Sequence, residues 1–157
     1  LNKEVVFRSA EHVQDLLPMS KRGSLKFEGC AQDWQRALAK AGLALGALSL
    51  VEPHDCFTVA ELIEYEAMGL TVEGQGARAI KEGWTQKYGK LPFNPSGGLK
   101  AKGHPIGATG VSMHALVAMQ MIGAAGELQV KDARLGGIFN MGGAAVANYV
   151  SILERIR

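Results

Sequence analysis

The side chains able to do chemistry gather in three short clusters. The first is His54-Asp55-Cys56-Phe57, between a strand-like run ending at Pro53 and a helix-like run opening at Thr58. A cysteine at a helix N-terminus feels the positive end of the dipole, which favours the thiolate, and a histidine two residues away can trade a proton with it. The plainer reading makes Cys56 a small buried hydrophobe and Asp55 the shield of a helix end, and these four residues alone favour it. The second cluster is Asn94-Pro95-Ser96-Gly97-Gly98-Leu99, continuing to Gly103-His104-Pro105-Ile106-Gly107-Ala108-Thr109-Gly110. Its glycines let the backbone approach a ligand closely, and a histidine at the tip of such a loop is poised as a general base or an oxyanion donor. Here the functional reading leads. The third is Asn140-Met141-Gly142-Gly143, which is either a hairpin turn or a loop aiming a backbone N–H into a site, and composition does not choose between them.

Other signals fall away. Gly74-Gln75-Gly76-Ala77-Arg78-Ala79 matches a relaxed dinucleotide fingerprint, but no convincing strand precedes it and no acidic residue follows at the expected offset. There is no Gly-Lys-Ser/Thr phosphate loop, and His54 and Cys56 lack partners at zinc-ligand spacing, so no metal is expected. Lys100 and Lys102 flank the glycine-rich loop and are read as solvated, as is the charged tail 154–157. His12 and His114 are read as packing or surface residues, and Cys30, at the head of an amphipathic helix, is not promoted.

The elements that must position these clusters follow from periodicity. Val5-Val6-Phe7 reads as a strand. Trp34, Ala37, Leu38 and Ala41 recur at i, i+3, i+4, i+7 and mark a helix from Glu28 stopped by Gly42. Leu48–Val51 reads as a buried strand. Thr58 and Glu61 have capping-box spacing for a helix to Met68, with Gly69 as its stop. Residues 74–90 read as a surface excursion with one short helix, and the Gly- and Pro-rich stretch 93–110 as neither helix nor strand interior; a short strand is expected between the helix at 58–68 and the helix at 111–122. Val111–Ile122 is apolar on every face and reads as a helix buried on all sides. Leu135–Phe139 and Ala145–Leu153 read as two strands joined by a tight turn at Met141-Gly142-Gly143.

The order is β-α-β-α-β-α-β-β, an α/β layer closed by a hairpin, in one domain over 157 residues. A net charge of +2, without a dense basic run, argues against nucleic acid as a partner. No run of about eighteen apolar residues appears, so no membrane span is expected. Two cysteines build no disulfide scaffold, which favours a reducing, cytoplasmic compartment. The chain opens at Leu1 rather than Met, as a processed terminus or a piece of a longer protein would.

Taken together, the His-Asp-Cys-Phe, Glu73-Gly74-Gln75-Gly76-Ala77, Asn-Pro-Ser-Gly-Gly and Gly-His-Pro-Ile-Gly-Ala-Thr-Gly motifs resemble the thiolase superfamily, most closely its sterol-carrier-protein-2 type. The resemblance covers the C-terminal half of such an enzyme and implies a mixed five-stranded sheet with helices on both faces, an absent N-terminal half bearing the nucleophilic cysteine, and a homodimer or higher oligomer. It implies a coenzyme A thioester as substrate and no bound cofactor, in the cytoplasm or, in a eukaryote, the peroxisome. By the same resemblance His104 takes the nucleophile's proton and helps bind the thioester oxygen. His54 stands where most thiolases use an asparagine to fix an oxyanion-hole water, and Cys56 is the acid/base at the α-carbon. Gly142 supplies an oxyanion-hole N–H, and Asn94, Gly97, Gly98 and Gly107 approach the substrate. Asn140 occupies the position where most thiolases place that acid/base cysteine, a departure expected of this type.

Three other readings compete: a steroid-CoA side-chain retro-aldolase on the same fold, a non-catalytic thiolase-like acyl-CoA-binding subunit, and, a poor fit, a cysteine hydrolase of Cys56, His104 and Asp55. Retention of Cys56 with His104 favours the thiolase. Because the nucleophile lies in the absent half, the purified 157-residue chain is predicted to show no thiolysis of acetoacetyl-CoA; steady turnover by it in a spectrophotometric assay would contradict this.

Overall fold

The computed structural model describes residues 3–23 and 25–157. The strands are β1 (Val5–Gln14), β2 (Leu50–Glu52), β3 (Leu135–Gly142) and β4 (Ala147–Arg155). The helices are α1 (Glu28–Ala41), α2 (Thr58–Ala67), α3 (Gly76–Lys81), α4 (Gly98–Lys102) and α5 (Thr109–Ile122). The strands form one mixed sheet in the order β1-β4-β3-β2, with β2 parallel to β3 and the other pairs antiparallel.

Alternation along β3 and β4 sends side chains to two cores. Phe139, Val150 and Ile152 meet Trp34, Ala37 and Ala41 of α1 and Tyr65 of α2, while Ile138 and Leu153 meet Met113, Val117 and Met121 of α5. Helices therefore cover both faces, as expected. Gly136 and Gly137 make this possible: a Cβ on the first would strike Val117, and on the second Trp34, so β3 is a bare ribbon where α5 and α1 press from opposite sides.

The sheet has four strands rather than five. The expected short strand is reduced to a single parallel bridge between Phe93 and Val51, with Val51 N–H donating to Pro92 O and Asn94 N–H to Val51 O, both at 2.9 Å. Pro92 and Pro95 flank this residue, lack backbone donors and stop the ladder after one pair. β1 runs seven residues beyond Phe7, through a polar stretch in which Ser9 and Val13 are the buried positions of an edge strand. A register shift between Phe7 and Ser9 hides its alternation.

Three local expectations change. Thr58 is the first helical residue of α2 rather than its cap. Phe57 is the cap residue and makes no side-chain bond, and Glu61 accepts from the Tyr65 hydroxyl at 2.7 Å. The hairpin turns at Gly143-Ala144-Ala145, all in the left-handed region, so Met141 and Gly142 belong to β3. The buried Asn148 amide holds that turn by donating to Ala145 O at 3.0 Å and Val13 O at 3.2 Å. Finally, α5 buries only the face carrying Met113, Val117 and Met121; Val111 is 73% exposed, because among the described residues only the sheet side packs against this helix. No helix among the described residues is long and apolar enough to cross a membrane.

Asp33 of α1 is fully buried, and burial pushes its carboxyl up to about 7, partly offset by the backbone of Val150. A carboxyl raised in the folded state binds protons that the unfolded chain has released, so stability falls as pH climbs from about 4 to about 7. Urea denaturation should find Asp33→Asn increasingly more stable than the parent chain between pH 5 and pH 8, by about 2 kcal/mol over that span; a pH-independent difference would contradict the assignment.

Candidate active site

The site forms where the C-terminal ends of β2 and β3 meet, the usual ligand crevice of an α/β sheet. β2 ends in Glu52, and Pro53 then turns the chain so that His54 enters the crevice, only 4% exposed. The glycine-rich loop is tied to this end by two carboxylates. Glu52, buried, accepts from Ser96 N–H at 3.1 Å and Ser96 Oγ–H at 2.6 Å, and Lys102 Nζ lies 3.1 Å from it and 2.8 Å from Ser96 Oγ. Asp55, also buried, accepts from Leu99 N–H at 2.7 Å. A Cβ on Gly98 would collide with that carboxylate, and its φ of +67° is one that L side chains rarely adopt. So Asp55 holds the start of α4 rather than shielding α2, and Lys102 is paired rather than solvated.

With α4 fixed, Gly103 delivers His104 to the crevice. Its ring lies edge-on to that of His54, the centroids 4.8 Å apart at 84°. His104 Nδ1 is 2.7 Å from Thr109 Oγ1, and the Thr109 hydroxyl donates its one proton to Pro105 O at 3.1 Å. Thr109 must therefore accept from Nδ1–H, which leaves the lone pair of His104 on Nε2. That is the tautomer a general base needs.

His54, Cys56, His104, Asn140 and Gly142 all line one cavity of about 690 Å³, whose remaining wall is largely apolar, with Phe27, Phe57, Val59, Ile63 and Ile106. The imidazole of His54 is held below its usual range, first by burial and then by the neighbouring His104 ring, against the hydrogen bond to Asn140 and the charge of Asp55. It is neutral at neutral pH. The Cys56 thiol is pushed up by burial and by Glu64, against weaker backbone hydrogen bonds and Lys100. The thiolate expected from the helix dipole is thus not favoured: Cys56 precedes α2 by two residues, and desolvation outweighs the dipole. A neutral thiol can give a proton; a neutral imidazole with a free Nε2 can take one.

Of the residues singled out from sequence, His54, Cys56, His104 and Gly142 meet in this cavity. Asn94, Gly97, Gly98 and Gly107 do not line this cavity; the first three lie in the segment that leads into α4, Asn94 at φ +45°. Thr109, Glu52, Ser96 and Asn140 contribute to the site without having been given catalytic roles; Ser96 and Thr109 lay inside the glycine-rich cluster and Asn140 in a motif left undecided, while Glu52 carried no signal. Among the described residues no three His, Cys, Asp or Glu side chains gather as metal ligands do.

A family model described as Thiolase C-terminal domain-like matches residues 11–155. The chain is 39% identical over 135 residues to an acetyl-CoA acetyltransferase of Methanothermobacter thermautotrophicus, covering 86% of this chain and 35% of that protein. It is 44% identical over 113 residues to human sterol carrier protein 2, covering 71% of this chain and 21% of that protein. The fold matches a chain of the Ltp2-ChsH2(DUF35) aldolase with a TM-score of 0.85 and 21% identity, over 98% of this chain and 40% of that one. The chain thus spans about a third or less of the length of these two curated relatives.

The raised Cys56 thiol has a direct readout. Iodoacetamide labelling of Cys56, followed by peptide mass spectrometry, should reach half-maximal rate at a higher pH than a free cysteine, while the fully buried Cys30 stays unlabelled in the folded chain. Half-maximal labelling of Cys56 below the free-cysteine value would contradict the electrostatic account.

Proposed function

The chain belongs to the thiolase C-terminal domain-like family, and from that premise we propose that it is the acid–base half of an acyltransferase that cleaves or forms 3-ketoacyl-CoA thioesters by Claisen chemistry. One observation carries the reading: a neutral thiol and an imidazole with a free Nε2 share a single cavity with a second, neutral histidine and the end of the β3–β4 hairpin.

In the cleavage direction, His104 Nε2 accepts the proton of a thiol nucleophile contributed from outside this chain. The sulfur attacks the 3-keto carbon, and collapse breaks the bond between that carbon and the α-carbon. The electron pair remains on the α-carbon as a thioester enolate, and Cys56 gives its proton there, becoming a thiolate. Incoming coenzyme A then restores the Cys56 proton as its own sulfur attacks the acyl group, and the nucleophile leaves as a thiolate that takes its proton back from His104. The raised Cys56 thiol suits the proton-giving step, since a thiol that is reluctant to ionise is regenerated between turnovers. His104 and the Gly142 N–H stabilise the oxygens on which charge develops. Asn94, Gly97, Gly98 and Gly107 are assigned to holding the thioester, the first three by shaping the loop that presents His104. The nucleophile-bearing half and a second copy of the enzyme are the partners proposed.

A retro-aldolase of the same fold is the second reading, favoured by the match to the Ltp2-ChsH2(DUF35) aldolase. The test offers the full-length protein containing this chain both a 3-ketoacyl-CoA with coenzyme A and a 3-hydroxyacyl-CoA adduct. Thiolysis of the first is expected. Cys56→Ala should still form the acyl-enzyme, seen as a mass increase on the intact protein, and lose about 100-fold or more in turnover. Cleavage of the hydroxy adduct alone, or normal turnover by Cys56→Ala, would overturn the assignment.

A further inference from the structure

Asn140 has no role in the chemistry above, yet it touches a buried imidazole of the site. It projects from β3 with its Oδ1 2.6 Å from His54 Nδ1. Its amide nitrogen points the other way, toward the first turn of α5, where Gly110 leaves room for it: a Cβ there would come to 3.1 Å. Asn140 is thereby held between α5 and His54, and a carbonyl oxygen can only accept.

The geometry points to Asn140 as a positioning residue that fixes His54 in the Nδ1–H tautomer and turns its Nε2 lone pair into a proton acceptor within the cavity. The hydrogen at the His54–Asn140 contact belongs to the ring, because the amide oxygen has none to give. A neutral imidazole with Nδ1–H keeps one acceptor, Nε2. Burial keeps the ring neutral; Asp55 and His104 are the titratable groups whose charges bear on it, and a positive His104 opposes a second positive ring 4.8 Å away. A proton entering the cavity is therefore not held by His54, which orders a donor instead. Where that donor is water, it gives one hydrogen to His54 Nε2 and keeps the other for a developing oxyanion. The role of that water rests on the acyl-transfer reading above; the tautomer does not.

The tautomer is measured directly by long-range ¹H–¹⁵N correlation on protein labelled in histidine, with His54 assigned through His54→Gln. The expected result at pH 8 is a protonated Nδ1 and an unprotonated Nε2 on His54. Asn140→Asp, which keeps an acceptor, should retain Nδ1–H and raise the titration midpoint of His54 by one unit or more. Asn140→Leu, which removes it, should move the proton wholly or partly to Nε2, with the His12 and His114 signals unchanged as the folding control. A protonated Nε2 in the parent protein, or an unaltered His54 tautomer in Asn140→Leu, would overturn the proposal. If Asn140→Leu does not fold, the parent spectrum and Asn140→Asp still decide it. None of these readouts needs turnover, so a protein inactive on ketoacyl-CoA would sink the functional reading and leave this one standing.

Discussion

The site depends on two buried carboxylates that anchor a glycine-rich loop to the end of a three-residue strand. Glu52 gathers Ser96 and Lys102, and Asp55 takes the Leu99 N–H, all within 3.1 Å. Together with the bridge at Phe93, these bonds hold residues 94–103 against the end of the sheet. Removing Lys102 would leave the buried Glu52 carboxylate without its cation; losing one member of a fully buried pair costs about 3–5 kcal/mol, and the part-exposed Lys102 brings the cost below that. The loop is irregular in shape and firmly placed at once. Its placement determines where His104 can be.

From that anchor the proton traffic follows. His104 and His54 lie edge to edge, each bonded through Nδ1, one to a threonine hydroxyl and the other to an asparagine carbonyl. Cys56 is a thiol kept protonated by burial. The cavity thus holds two ring nitrogens placed to accept a proton and one thiol placed to give one. Such a set can take a proton from one sulfur and give one to a carbon without first creating a buried ion pair. The fold supplies the frame through Gly136 and Gly137, which let α5 and α1 approach the sheet from both sides and bring Thr109, at the head of α5, to the crevice.

Much of this was legible in the sequence, because the informative residues break local rules. A histidine in a run of glycines and a cysteine ahead of a helix are awkward as packing, and both line the cavity. The helix ending at Gly42 and the two closing strands were equally readable from periodicity. What escaped was set by tertiary partners. Edge strand β1 looks polar because one of its faces is solvated and its register shifts after Phe7. The fifth strand failed because prolines flank Phe93. Thr58 lost its cap role when Glu61 turned to Tyr65, and the dipole expected to ionise Cys56 was outweighed by burial. Glu52 carries no sequence signal, and Ser96 and Thr109, though inside legible motifs, take partners that only the folded chain brings to them.

The central claim is that the Cys56 thiol moves the proton at the substrate's α-carbon. Hydrogen–deuterium exchange into the acetyl group of acetyl-CoA, followed by mass spectrometry with the full-length protein in deuterated water, tests it most directly. Exchange that is catalysed by the parent protein and lost in Cys56→Ser, with His54 and His104 intact, is the result predicted. Exchange at an undiminished rate in Cys56→Ser would show that another group moves that proton, and the account would fail.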